Sequence, residues 1–205
     1  FLAEKTCRLI TIVAPGGMGK TRLAIEVAAT QLENFEGIRF VSFAAVASPD
    51  LMVYTLADAL ELSLFGSKSP KDQILDYLKN KNMLLVLDNL EHLLAGVDLI
   101  SEILTTAPEI KILATSRERL GLQSEHLFDL YGLTVPDSNS SDARDFDALQ
   151  LFAERAKHNQ LDFVLEQHLQ AVTRICQLVG GMPLAIELAA SWSRLLSPSE
   201  IVTEL

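Results

Sequence analysis

A chain of 205 residues, 49% of them hydrophobic, has apolar material for one ordinary domain and a smaller second one. A net charge of −10 and a pI near 4.8 argue against direct nucleic-acid contact by this segment, since a phosphate backbone calls for a basic face. No apolar run approaches the roughly 18–20 residues that cross a bilayer, so no membrane span is expected. Two cysteines, Cys7 and Cys176, lie far apart without metal spacing and are expected to be small buried apolar residues. Their reduced state suits a cytoplasmic protein. The chain carries no signal-like N-terminus and opens at Phe1 almost directly on a strand, as a piece of something longer would.

The first strand is predicted over 8–13. Ala14-Pro15-Gly16-Gly17-Met18-Gly19-Lys20-Thr21 follows it and opens a helix predicted over 20–33. Strand, glycine turn and helix with Gly-Lys-Thr at the junction is the layout of a phosphate-binding P-loop. Glycines let successive backbone N–H groups curl round an anion, and the new helix adds roughly half a positive charge at its start. Pro15 to Arg22 are therefore the candidate ligand-binding residues. Lys20 reaches the outer phosphates, and the Thr21 hydroxyl is a ligand for Mg²⁺. The usual first glycine of the pattern is Ala14 here, which is expected to alter the turn only locally. Lys20, Arg22, Arg117 and Arg119 gather positive charge there in an otherwise acidic chain.

A second strand is predicted over 38–43, a helix over 51–62 behind Ser48-Pro49-Asp50, and a short helix from Pro70 with Ile74, Leu75 and Leu78 on one face. The run Met83-Leu84-Leu85-Val86-Leu87 has no polar alternation, so its strand is buried on both faces, as in a parallel sheet covered by helices. It ends in Asp88-Asn89. A helix over 90–106 and strands over 110–115 and 126–130 complete an α/β sheet of about five strands. Ligands bind such sheets beyond the carboxyl ends of the strands, where the glycine loop, Asp88 and Thr115-Ser116-Arg117 all fall. Asp88 is the second candidate ligand for Mg²⁺, and Arg117 is placed to contact a terminal phosphate. Helix N-capping by Asp88 and a solvated loop position for Arg117 are the structural alternatives.

Residues 134–144 are polar and turn-rich and mark a linker between an α/β domain, 1–133, and a helical domain, 145–205. Phe146, Leu149, Phe152 and Ala156 make one apolar stripe, and Leu169, Val172, Cys176 and Val179 another. Gly180-Gly181 stops a helix and Pro183 starts the next, which carries Leu184, Leu188, Trp192 and Leu195 at helical spacing, with Trp192 expected in the core. Ser197-Pro198 opens a last helix. His92, His126, His158 and His168 have no metal spacing.

The stretches APGGMGKTRLA (14–24), LLVLDNLEHL (84–93), ATSRERL (114–120) and GGMPLAIELAA (180–190) together resemble the nucleotide-binding module of STAND-class signalling ATPases, the NB-ARC relatives. The likeness is greatest to the ATPase part of bacterial transcription regulators and their tetratricopeptide-linked cousins. The resemblance implies an ATP/ADP switch with Mg²⁺, a sheet with the Arg117 strand between the P-loop and Asp88 strands, and Pro183 lying against the base or sugar of the nucleotide. It also implies ADP closure, ATP-dependent opening and self-assembly. An adenine-contacting segment is expected before Phe1, and a winged helix after Leu205, with DNA-binding and sensor domains further out. Hydrolysis is expected to be slow. Asn89 follows the magnesium-binding Asp88 and can orient water but cannot accept its proton, while Glu91 is expected to support a helix terminus. A P-loop motor or nucleic-acid-remodelling ATPase, with Arg119 recruited as a finger, is one alternative. A decayed interaction module that binds nothing is the other.

Overall fold

The structure is a computed structural model and describes residues 2, 4, 6–136 and 145–205. Five parallel strands form one sheet: β1 (Leu9–Val13), β2 (Gly37–Ser42), β3 (Met83–Asp88), β4 (Lys111–Ser116) and β5 (Glu125–Asp129), in the order β2-β3-β4-β1-β5. The β4 strand thus lies between β1 and β3, the arrangement the resemblance implies. The fold is the three-layer α/β sheet of a P-loop NTPase, followed by a helical segment.

Side-chain alternation along each inner strand feeds two cores. Leu9, Met83, Leu85, Leu87, Ile112 and Ala114 face one side and pack with α2 (Met52–Ala59), α3 (Pro70–Leu78) and α4 (Asp98–Thr106). Ile10, Ile12, Leu84, Val86 and Leu113 face the other, where α1 (Lys20–Ala29) contributes Ala24 and Ala28. A period of two with apolar residues on both faces is why β3 is buried along its whole length.

The contacts divide the chain into two compact units. One comprises Phe1–Pro15 and Lys20–Leu130; the other comprises Gly16–Gly19 and Tyr131–Leu205. The second unit contains α5 (Asp147–Asn159), α6 (Leu169–Leu178), α7 (Pro183–Ser191) and α8 (Pro198–Glu204). Its core joins Leu149, Phe152 and Ala156 of α5, Val172 and Cys176 of α6, and Ile186, Ala189 and Ala190 of α7. Of the expected linker over 134–144, residues 137–144 lie outside the described residues.

Four readings of the sequence are corrected. The helix expected over 90–106 begins only at Asp98, after a bend and a short 3₁₀ turn at Leu94–Gly96. Asn89 adopts a left-handed conformation (φ 68°), and the Leu90 N–H bonds to the Thr115 carbonyl, so the chain is pinned across the sheet before it can coil. The Glu91 side chain therefore supports no helix terminus, and Asp88 is a strand residue and not a helix cap. Finally, the stripe Leu184, Leu188, Trp192 and Leu195 faces outward, with Leu188 57% and Trp192 42% exposed. The α7 helix is apolar nearly all round, and its small residues Ala189 and Ala190 are the ones that pack inward beside Ile186.

Candidate functional site

The sheet unit builds its site at the carboxyl ends of β1, β3 and β4. Pairing of β1 with β4 continues one residue past the strand, where the Ala14 N–H donates to the Ser116 carbonyl at 3.3 Å. Ala14 is buried and has no positive φ, so the position where the usual motif has glycine makes no demand that alanine cannot meet. Left-handed backbone occurs further along the loop, at Gly17 (φ 81°) and Gly19 (φ 89°). A Cβ at Gly17 would also approach Leu184 Cβ to 2.9 Å. Lys20 opens α1, and its ammonium donates to the carbonyls of Ala14 at 2.8 Å and Pro15 at 3.2 Å. Burial lowers the Lys20 pKa from its ordinary value. The charge of Glu91 pulls it back up, Arg117 lowers it further and Asp88 raises it, so four charged groups share one neighbourhood.

Asp88 is held by hydroxyls. Its Oδ1 accepts from Thr21 Oγ1 at 2.6 Å and from Thr115 Oγ1 at 2.7 Å, and Thr115 Oγ1 in turn accepts the Asn89 N–H at 3.0 Å. The second carboxylate oxygen makes no hydrogen bond among the described residues. A threonine hydroxyl and a carboxylate in contact form a hard oxygen donor set that suits Mg²⁺, which takes few protein ligands and fills the remainder with water and phosphate. The residues present therefore fit the metal. The structure brings the expected pair Thr21 and Asp88 into contact and adds Thr115, which sequence reasoning missed as the residue that orients Asp88. Its place at the end of β4, next to β3, is a consequence of strand order.

Asn89 turns the chain away from β3. Its amide nitrogen lies 3.4 Å from His92 Nδ1, and His92 Nε2 lies 2.8 Å from the Val46 carbonyl, a contact that places the imidazole proton on Nε2. Arg117, the residue after β4, donates from Nε to Glu91 Oε1 at 2.9 Å; its side chain is 65% exposed and that of Glu91 only 13%. Arg22, on α1, is exposed. A separate cavity of about 380 Å³, lined by Arg8, Asn82 and Lys111 among others, opens at the amino ends of the same strands. That is the end at which α/β sheets do not bind their ligands.

In the helical unit, Gly180 (φ 61°) and Gly181 (φ 67°) stop α6, and the Gly181 N–H donates to the Cys176 carbonyl at 2.9 Å. Pro183 then occupies the first position of α7. The Leu184 N–H donates to the Gly17 carbonyl at 3.1 Å, and the Leu133 N–H to the Gly181 carbonyl at 2.8 Å. The Gly-Gly-Met-Pro motif is thus helix punctuation and also the point at which α7 meets the glycine stretch of the same unit.

Among known proteins, a Mycobacterium tuberculosis (strain H37Rv) protein named "Putative HTH-type transcriptional regulator" is 39% identical over 200 residues, which cover 97% of this chain and 22% of the relative. An uncharacterized protein of the same strain is 35% identical over 208 residues, covering 100% of this chain and 50% of its own length. The chain thus spans about half or less of the relatives it matches. Among solved structures, Drosophila ORC bound to DNA superposes with a TM-score of 0.61 at 9% identity, covering 98% of this chain and 60% of that one. Cdc6p from Pyrobaculum aerophilum superposes with a TM-score of 0.56 at 14% identity, covering 90% and 52%. At those identities the likeness is one of fold. No described helix is long and apolar enough to cross a membrane. Residues 3–128, a span that holds the glycine stretch, Asp88 and Arg117, match the family described as "AAA domain", and the chain belongs to that family.

Proposed function

We propose that this chain is the ATP/ADP-binding switch module of a STAND-class signalling ATPase within a transcription regulator, with slow Mg²⁺-dependent hydrolysis. The observation that carries the reading is the contact of Thr21 Oγ1 with Asp88 Oδ1 at 2.6 Å, which joins the end of the phosphate loop to the end of β3. In this reading the backbone of Pro15 to Gly19 and the start of α1 bind the phosphates, Lys20 neutralises them, and Thr21 and Asp88 hold Mg²⁺. Mg²⁺ held there would supply neutralisation of the phosphate charge. The protein's own part is to orient: Thr115 fixes the Asp88 carboxylate, and Lys20 exchanges two carbonyl partners for phosphate oxygens. The regulator role rests on the mycobacterial relative, and assembly with winged-helix, DNA-binding and sensor domains of a longer chain belongs to the same proposal. The Leu184 N–H bond to the Gly17 carbonyl supports the switch reading, since it ties the glycine stretch to the start of α7.

Thermal unfolding of the full-length protein with Mg-ADP and Mg-ATP tests this. Ligand at about a hundred times its dissociation constant adds roughly 2.7 kcal/mol. The upward shift should vanish in Lys20→Ala, and in Asp88→Asn the magnesium-dependent part should shrink. Equal shifts in all three proteins would reject the site, and none in the parent would favour the decayed module.

A further inference from the structure

Glu91 is the carboxylate of this site to which the switch reading gives no task. It lies three residues past Asp88, in the bend between β3 and α4. Its Oε1 accepts from Arg117 Nε at 2.9 Å, while Oε2 is buried and has no hydrogen-bond partner. An unpartnered buried carboxylate oxygen is costly, and folded proteins keep few of them without cause. The surroundings are those of a phosphate site. Burial disfavours charge on Lys20, and among its charged neighbours Glu91 does most to offset this. Asn89, directly after Asp88, carries an amide that cannot accept a proton from water. Arg117 is mostly exposed, so its guanidinium can swing to an anion without leaving a packed position.

We propose that Glu91 is the general base for ATP hydrolysis here, and that Arg117 reserves it until a terminal phosphate draws the guanidinium away; this rests on the nucleotide-switch reading. With Arg117 turned to the phosphate, both carboxylate oxygens of Glu91 are free. Glu91 takes a proton from the attacking water as the water oxygen bonds to the terminal phosphorus. The bond from that phosphorus to its bridging oxygen breaks, its electron pair leaves on ADP, and the proton on Glu91 passes to the released phosphate. Triphosphate recognition and base release are then one event, because a diphosphate offers Arg117 no third phosphate.

Glu91→Gln in the full-length protein separates this from a structural role, since glutamine keeps an oxygen for the Arg117 N–H and loses only the charge and the proton acceptor. Hydrolysis should fall by about 10²–10⁴-fold, and the acid limb of the rate profile should disappear. Mg-ADP affinity should stay within twofold. A non-hydrolysable triphosphate analogue should bind about two- to fivefold tighter, because Arg117 no longer leaves a charged partner. In an Arg117→Ala background the same substitution should leave analogue affinity unchanged. The proposal is overturned by hydrolysis within about tenfold of the parent, by tightening that persists without Arg117, or by a parent that binds nucleotide and does not hydrolyse it. That last result leaves the switch standing, whereas a parent that binds no nucleotide removes both.

Discussion

Thr115 shows how a single side chain decides what a neighbouring carboxylate can do. Its hydroxyl is almost wholly buried, donates to Asp88 Oδ1 and accepts the Asn89 N–H, so one oxygen fixes both residues at the end of β3. Thr115→Val keeps the shape, strands the Asn89 N–H and leaves Asp88 Oδ1 with the Thr21 hydroxyl alone. We expect a loss of about 1–3 kcal/mol in urea unfolding, with weaker Mg²⁺-dependent nucleotide binding in the same protein. Unchanged stability together with unchanged binding would show that Asp88 needs no such orientation. At this scale the sequence was legible wherever a residue type matches a chemistry. Lys20, Thr21 and Asp88 could be picked out as candidates because phosphate and Mg²⁺ sites call for an ammonium, a hydroxyl and a carboxylate, and the structure sets Thr21 against Asp88. The Glu91–Arg117 pair could not, because 26 residues separate its members and only β3 lying beside β4 brings them together.

Helices follow their local signals where packing agrees. The α8 helix begins with a capping box in which Ser197 Oγ accepts the Glu200 N–H and Glu200 Oε2 accepts the Ser197 N–H at 2.7 Å. The Ser197 backbone N–H, with the Ser197 hydroxyl next, holds the Glu200 pKa below its ordinary value. A depressed carboxylate stabilises the fold above its unfolded pKa, and that contribution is lost as pH falls through the folded value. Ser197→Ala should therefore destabilise the fold more near neutral pH than once Glu200 is protonated; denaturant midpoints at pH 7 and pH 3 read the difference. An equal cost at both values would detach the cap from the titration. The α7 helix shows the opposite case. With leucines and alanines on every side, its pattern does not say which face is inside, and the core took the small residues Ala189 and Ala190 beside Ile186. The Leu188 and Trp192 face was left outward because the partner helices chose close approach over side-chain volume.

The molecule as a whole carries a net charge of −10, and this bears on the motor alternative. Binding of DNA by neutralising phosphates needs a basic surface and weakens steeply with salt. We therefore expect no salt-dependent change in the anisotropy of a labelled duplex on titration with this domain at micromolar concentration. A clear rise at low salt that collapses on raising it would revive the remodelling ATPase. Cys7 and Cys176 fit their predicted places as buried apolar residues, with burial pushing the Cys176 thiol up to about 12, so it stays protonated. Sequence by itself determined the parallel sheet, the phosphate loop and the strand-end carboxylate, because each is written in a local run: unbroken apolar residues for a doubly covered strand, glycines and Lys-Thr at a strand–helix junction. Tertiary structure alone decided which oxygens meet Asp88, where the chain after Asn89 resumes a helix, which face of α7 is buried and that Glu91 faces Arg117. Those outcomes depend on strand order and on competition for core space, and both are set by parts of the chain far apart in sequence.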